Sequence, residues 1–197
     1  YRFGLRDGVG FWRACGLLSK ACLFSDSVTL GISKACLPAP ADQVKRTLAR
    51  IADEGRMEDE ISACQARQSD YTAALAAFDD VAERATRGKA LLDVWRWAAR
   101  CLLNRARTSE LLLSQTAAVL AGRPLVGQEA EHAQALLAEQ RALRAETDVL
   151  YATMIRPIRK GEMVAYMFEP VERALAGLAQ SEGATGSARG SRERSLE

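Results

Sequence analysis

Apolar residues recur at intervals of three and four along most of the chain, with polar residues filling the positions between them. Between Ile61 and Arg84 the apolar stripe is Tyr71, Ala74, Leu75, Phe78, Val81 and Ala82, and Asp79 and Asp80 take the solvated side. This stretch reads as two short helices, one over residues 61–67 and one opening near Asp70, with a tight turn between them. Ser69 or Asp70 caps the second helix, because a short side-chain oxygen accepts from the free amides of a first turn.

The neighbouring stretches follow the same plan. Residues 11–24 are helical through Phe11, Ala14, Cys15, Leu18 and Cys22. Residues 26–55 form a pair: a first helix carrying Ile32 and Cys36, ended by Pro38 and Pro40, and a second capped by Asp42 that buries Val44, Leu48 and Ile51. Gly55 stops it, since glycine readily takes the left-handed conformation at a helix C-terminus. Residues 89–122 form another pair. Leu91, Val94, Trp95, Ala98, Cys101 and Leu102 make the first face, and Thr108 or Ser109 caps a helix carrying Leu112, Leu113, Ala117 and Leu120. Gly122 and Pro124 end that unit.

Beyond them, residues 128–155 read as one long helix. Its apolar side is Leu136, Leu137, Leu143, Val149, Leu150 and Met154, and its charged side is Glu129, Glu131, Glu139, Arg141, Arg144 and Glu146. Pro157 breaks it within a basic turn holding Arg156, Arg159 and Lys160. A last helix over 162–180 carries Val164, Met167, Phe168, Val171, Leu175 and Leu178, kinked or restarted at Pro170. Residues 1–10, with three glycines, form an irregular N-terminal arm. Residues 181–197 lack an apolar stripe and read as a disordered or extended tail.

The segment Ile61-Ser62-Ala63-Cys64, a small polar turn, then Ala74-Leu75-x-x-Phe78-Asp79-Asp80-Val81 resembles one pentatricopeptide repeat with an extra residue in its turn. The order Asp70-Tyr71-x-x-Ala74-x-x-x-Phe78 is similar to the second half of a tetratricopeptide repeat. The echo Ile32-Ser33-Lys34-Ala35-Cys36 resembles the same start, and the intervals Cys36–Leu48, Cys64–Leu75 and Cys101–Leu112 are 12, 11 and 11 residues. Cysteine-to-cysteine periods of 28 and 37 straddle the roughly 34 residues of such repeats. The resemblance implies three stacked antiparallel hairpins near 26–55, 57–88 and 89–124, then two longer helices, in a single all-α domain over 11–180.

Composition agrees with an all-α reading. Apolar residues make up 48% of 197, with only five prolines, and alanine and leucine carry the lowest helical cost. No apolar run reaches the roughly 18 residues of a membrane-spanning helix. The balance of 27 basic and 25 acidic residues leaves a net charge of +2, so the total predicts no strong field for polyanions. The basic residues are 22 Arg and 5 Lys. Five cysteines without a CxxC pair read as reduced thiols serving as small core residues. The chain starts at Tyr1 rather than Met, which is read as a removed presequence or a fragment boundary.

Candidate chemistry is sparse. His132 is the one histidine, and Glu129-x-x-His132 has di-iron spacing without the second histidine such a site needs. It reads as a surface residue on a charged face. No phosphate loop or nucleophile motif is recognisable, so no catalytic residue, metal or cofactor is expected. The repeat resemblance implies two functions. One is a non-catalytic accessory subunit of a multi-subunit mitochondrial assembly, with a repeat-like accessory subunit attached to the catalytic head of a mitochondrial ATP synthase as the specific precedent. Its candidate protein-interface residues are Trp12, Trp95, Trp97, Arg156, Arg159 and Lys160. The other is organellar RNA binding, one base per repeat, with reading positions near Thr29, Glu58 and Trp95.

Overall fold

The computed structural model describes residue 3 and residues 8–20, 43–123, 127–154, 168–169 and 171–180. These form α1 (Val9–Lys20), α2 (Gln43–Asp53), α3 (Met57–Arg84), α4 (Lys89–Leu120) and α5 (Gly127–Met154), followed by a helical stretch at 171–180. There is no strand among the described residues. The protein is all-α.

The turn expected at Ser69–Asp70 does not exist. Helix α3 runs unbroken through both residues for 28 positions. Its buried face explains why. Met57, Glu60, Cys64, Tyr71, Ala74, Phe78 and Val81 keep one helical phase from end to end, so the whole face is buried by a straight helix. A mid-helix Ser or Asp costs only a few tenths of a kcal/mol in propensity, about 0.5 each relative to Ala, and burial of that face outweighs it.

The same correction applies to α4. Thr108 and Ser109 do not cap a second helix; both are buried within a 32-residue helix. The Ser109 hydroxyl donates to the Arg105 carbonyl one turn back, at 2.9 Å. The stop signals fared differently. Gly55 and Gly122 have φ of +68° and +66°, and each closes a helix with paired bonds: Arg56 N–H to Ile51 and Gly55 N–H to Ala52, then Arg123 N–H to Ala118 and Gly122 N–H to Val119.

Helices α3 and α4 form one long antiparallel hairpin. Gln65 and Gln68 near the start of α3 both donate to Glu110 late in α4, at 2.7 and 2.5 Å. Asp79 late in α3 pairs with Arg96 early in α4 at 2.7 Å. Helix α5 returns antiparallel along another side of α4, where Trp97 meets Leu143 and Asn104 meets Leu136. Helices α3 and α5 scarcely touch each other, so α4 is the central element of the array.

Two stripes on α4 account for this. Leu92, Trp95, Ala99, Leu103, Ala106, Glu110 and Leu113 recur at threes and fours and face α3. Trp97, Cys101, Asn104, Thr108, Leu111 and Gln115 do the same on the side directed at α5. The core follows this division. At the turn end, Phe3, Ala14, Phe78, Val81, Leu92 and Ala99 are buried together under α1. At the other end, Leu48, Ile51, Cys64, Leu113, Leu136 and Leu175 join α2 to α5 and to the 171–180 stretch.

Helix α1 starts at Val9, inside the expected irregular arm, and Phe3 within that arm is buried against Phe11 with ring centroids 4.8 Å apart. Helix α5 matches the expected long helix, but Val149 faces solvent rather than the apolar side. Phe168, Val171 and Leu175 are buried as the last helix requires. The expected positions of Cys22, Ile32, Cys36, Pro38, Asp42, Pro124, Pro170 and the 181–197 tail lie outside the described residues, as does the Val44 side chain.

Candidate interaction surface

Three tryptophans are the sequence-derived anchors, and the structure separates them. Trp97 is 6% exposed. It lies between α4 and α5, packs near Phe168 with centroids 6.3 Å apart, and its Nε1 donates to the Leu143 carbonyl at 2.9 Å. It is an interior residue. Trp95 is half-buried in the α1–α3–α4 aromatic cluster, stacked on Phe78 at 6.1 Å and edge-on to Phe11 at 5.9 Å. The two residues therefore serve different seams, as a separation of two positions on one helix demands.

Trp12 is 71% exposed. Helix α1 buries Phe11, Ala14, Cys15, Leu17 and Leu18 wholly or in part, which turns Val9, Trp12, Arg13 and Gly16 outward at spacings of three, one and three. Gly10 sits on the inner side, where an added Cβ would stand 3.2 Å from Val81 Cγ2, so α1 lies close on α3. The indole of Trp12 meets Phe11 edge-on at 5.6 Å and leans over Gly8. Trp12 is thus an aromatic side chain on a firmly packed helix with its face toward water.

Val9 was hidden in the sequence by Gly8 and Gly10, which make the segment read as loop. It is 70% exposed and one turn from Trp12. The exposed Val119 and Leu120 at the end of α4 and Val149 on α5 are separate apolar points. Arg156, Arg159 and Lys160, the basic turn expected at an interface, and Thr29, a proposed base reader, lie outside the described residues. Glu58 is exposed in the acidic first turn of α3 with Asp59.

Several arginines of the central array are engaged with carboxylates. Arg96 pairs with Asp79 and Asp93, Arg100 with Glu146, Arg107 with Glu139, and Arg144 with Glu169 and Glu172. The Glu146 carboxylate beside Arg100 raises its pKa above the ordinary guanidinium value. Arg84 pairs with Asp80 along α3. These contacts knit the helices and neutralise their cations locally.

Of the cysteines, Cys15, Cys64 and Cys101 are described and none forms a disulfide. Burial raises the Cys101 thiol to about 12 and also raises that of Cys15, which lowers their nucleophilicity at neutral pH. Among the described residues no three His, Cys, Asp or Glu side chains are grouped to hold a metal ion. His132 is exposed on α5. No helix among the described residues is long and apolar enough to cross a membrane. Comparison with known proteins finds no matching family, no matching curated protein and no matching solved structure.

Proposed function

We propose that this protein is a non-catalytic helical scaffold that binds a protein partner within a larger assembly, using the outer face of α1. The observation that carries the reading is the contrast among the tryptophans. Trp95 and Trp97 are absorbed by the fold, while Trp12 stands exposed beside Val9 on a helix whose other side is anchored. Tryptophan dominates binding energy where it enters a desolvated pocket, and a pre-ordered anchor limits the entropy cost of docking.

The sequence resemblance to helical-repeat proteins extends the proposal to a mitochondrial assembly, the ATP synthase head among them, although the hairpins it implies at 57–88 and 89–124 are each a single helix. RNA binding is the second reading. Its support is the same resemblance, and the engaged state of Arg96, Arg100, Arg107 and Arg144 weighs against it. Binding to a polyanion gains from cations that can replace counterions, and these guanidiniums already face carboxylates.

Size fractionation of a native extract tests both. A large species that resists ribonuclease and salt, and that Trp12→Ala converts to the free chain, supports the scaffold. A species that collapses with ribonuclease and weakens steeply with salt overturns it in favour of RNA. A lone monomer in every condition removes both.

A further inference from the structure

The two seams of α4 are built differently. Against α3 the buried layer is continuous and nearly all apolar, from Leu92 through Ala99, Leu103 and Ala106 to Leu113. Against α5 a polar layer interrupts it. Asn104, Thr108 and Gln140 are each no more than 1% exposed, on facing stripes of the two helices. The Asn104 amide nitrogen donates to the Leu136 carbonyl at 3.1 Å and to Glu139 at 3.0 Å, while its own oxygen has no donor among the described residues. Thr108 Oγ1 and Gln140 Oε1 also lack a partner among the described residues.

This layer divides α5 in two. The first half is anchored by Ala133, Leu136 and Leu137 in the large core with Leu111, Leu113 and Leu175. The second half meets α4 through the small cluster of Trp97, Cys101, Leu143 and Phe168 and through the half-exposed Arg100–Glu146 pair, and Arg144 ties it to Glu169 and Glu172. Helix α3 gives it almost no support from the far side. A buried polar atom without a partner costs about 1–3 kcal/mol, which is recovered when water reaches it. Regions with few apolar contacts and exposed ion pairs open at free energies below that of global unfolding.

We propose that the second half of α5, from Gln140 onward, opens from α4 as a local unit while its first half and the α3–α4 hairpin stay folded. The open form presents Trp97 and Cys101 to solvent, a surface that the closed form hides, while the Asn104 amide stays bound to Leu136 and Glu139 of the first half. This opening does not depend on the partner assigned to α1.

Two native thiols report on it. Cys101 lies in the α4–α5 seam and Cys64 on the α3 face buried with the large core. The full chain is treated with a maleimide under native conditions and each cysteine is followed by mass spectrometry. Cys101 is expected to react at least about tenfold faster than Cys64, and faster again at high salt, where the rim pairs are screened. Asn104→Leu combined with Gln140→Leu is expected to slow Cys101 and leave Cys64 unchanged. Equal rates for the two thiols in the unaltered protein overturn the proposal, whether or not the double variant folds. So does equal amide exchange in the two halves of α5.

Discussion

The Leu143 carbonyl accepts from Trp97 Nε1 at 2.9 Å across the α4–α5 seam, and from Thr147 Oγ1 at 3.0 Å within α5. A side chain that sequence reasoning would offer to a partner is thereby used to fix one helix on another. The indole contributes area, ring packing and a hydrogen bond at a single point.

Trp97→Ala is expected to cost about 3–5 kcal/mol of unfolding free energy. Trp97→Phe, which keeps most of the area but loses the Nε1 donor, is expected to cost about 1–3 kcal/mol. Trp12→Ala should stay within about 0.5 kcal/mol of the unaltered protein. Urea unfolding of the three variants checks the order, and a Trp12 loss as large as that of Trp97 would refute the assignment of Trp12 to the surface.

Ser69→Ala distinguishes a continuous α3 from a capped turn by the sign of its effect. Ser69 is exposed in mid-helix, so alanine should stabilise by about 0.5 kcal/mol. A serine serving as a cap would instead lose about 1 kcal/mol on the same change. Thermal unfolding with the midpoint read to within a degree resolves the two.

Burial raises the Cys101 thiol from its ordinary 9.0 to about 12 and the Tyr71 hydroxyl from 10.0 to about 12. The folded protein therefore keeps protons that the unfolded chain has released. Their contribution is fully present below pH ~9 and is lost as the pH rises toward ~12, a decline of several kcal/mol by order of magnitude. Denaturant midpoints measured across this range should fall. Cys101→Ala should flatten the part beginning near pH 9.0, and Tyr71→Phe the part beginning near 10.0.

Two glycines of α1 should respond differently to alanine. An added Cβ at Gly16 meets nothing within 4 Å, and Gly16→Ala should stabilise by about 0.5–1 kcal/mol through the lower helical cost of alanine. At Gly10 the Cβ would press on Val81 Cγ2 at 3.2 Å, so Gly10→Ala should gain less or lose stability. Paired urea curves show whether α1 is seated as closely as this contact requires.

Most of the helical content was legible in the chain, because a stripe at threes and fours has no other economical fold. Gly55 and Gly122 were legible as stops, since each needs a left-handed backbone. Ser69, Asp70, Thr108 and Ser109 suggest breaks that α3 and α4 do not have, because each is a good cap in isolation. The deciding signal was phase: Cys64 and Tyr71 lie seven residues apart on one line, with no offset across the supposed turn. The two outward orders of α4 were present in the sequence as well, but only burial shows which stripe meets which neighbour. The exposure of Trp12 and the burial of Trp97 were not legible, since both occur among apolar residues and differ only in what packs over them.

From Val94 to Ala118 every residue of helix α4 is at least partly buried. It works as a shared axle between two meshed surfaces. A turn of this helix about its own axis would shift Trp95 against Phe78 and Trp97 against Leu143 together. Adjustments made on one side must therefore register on the other, so substitutions at Trp95 and Trp97 should combine non-additively although the two side chains sit in separate clusters.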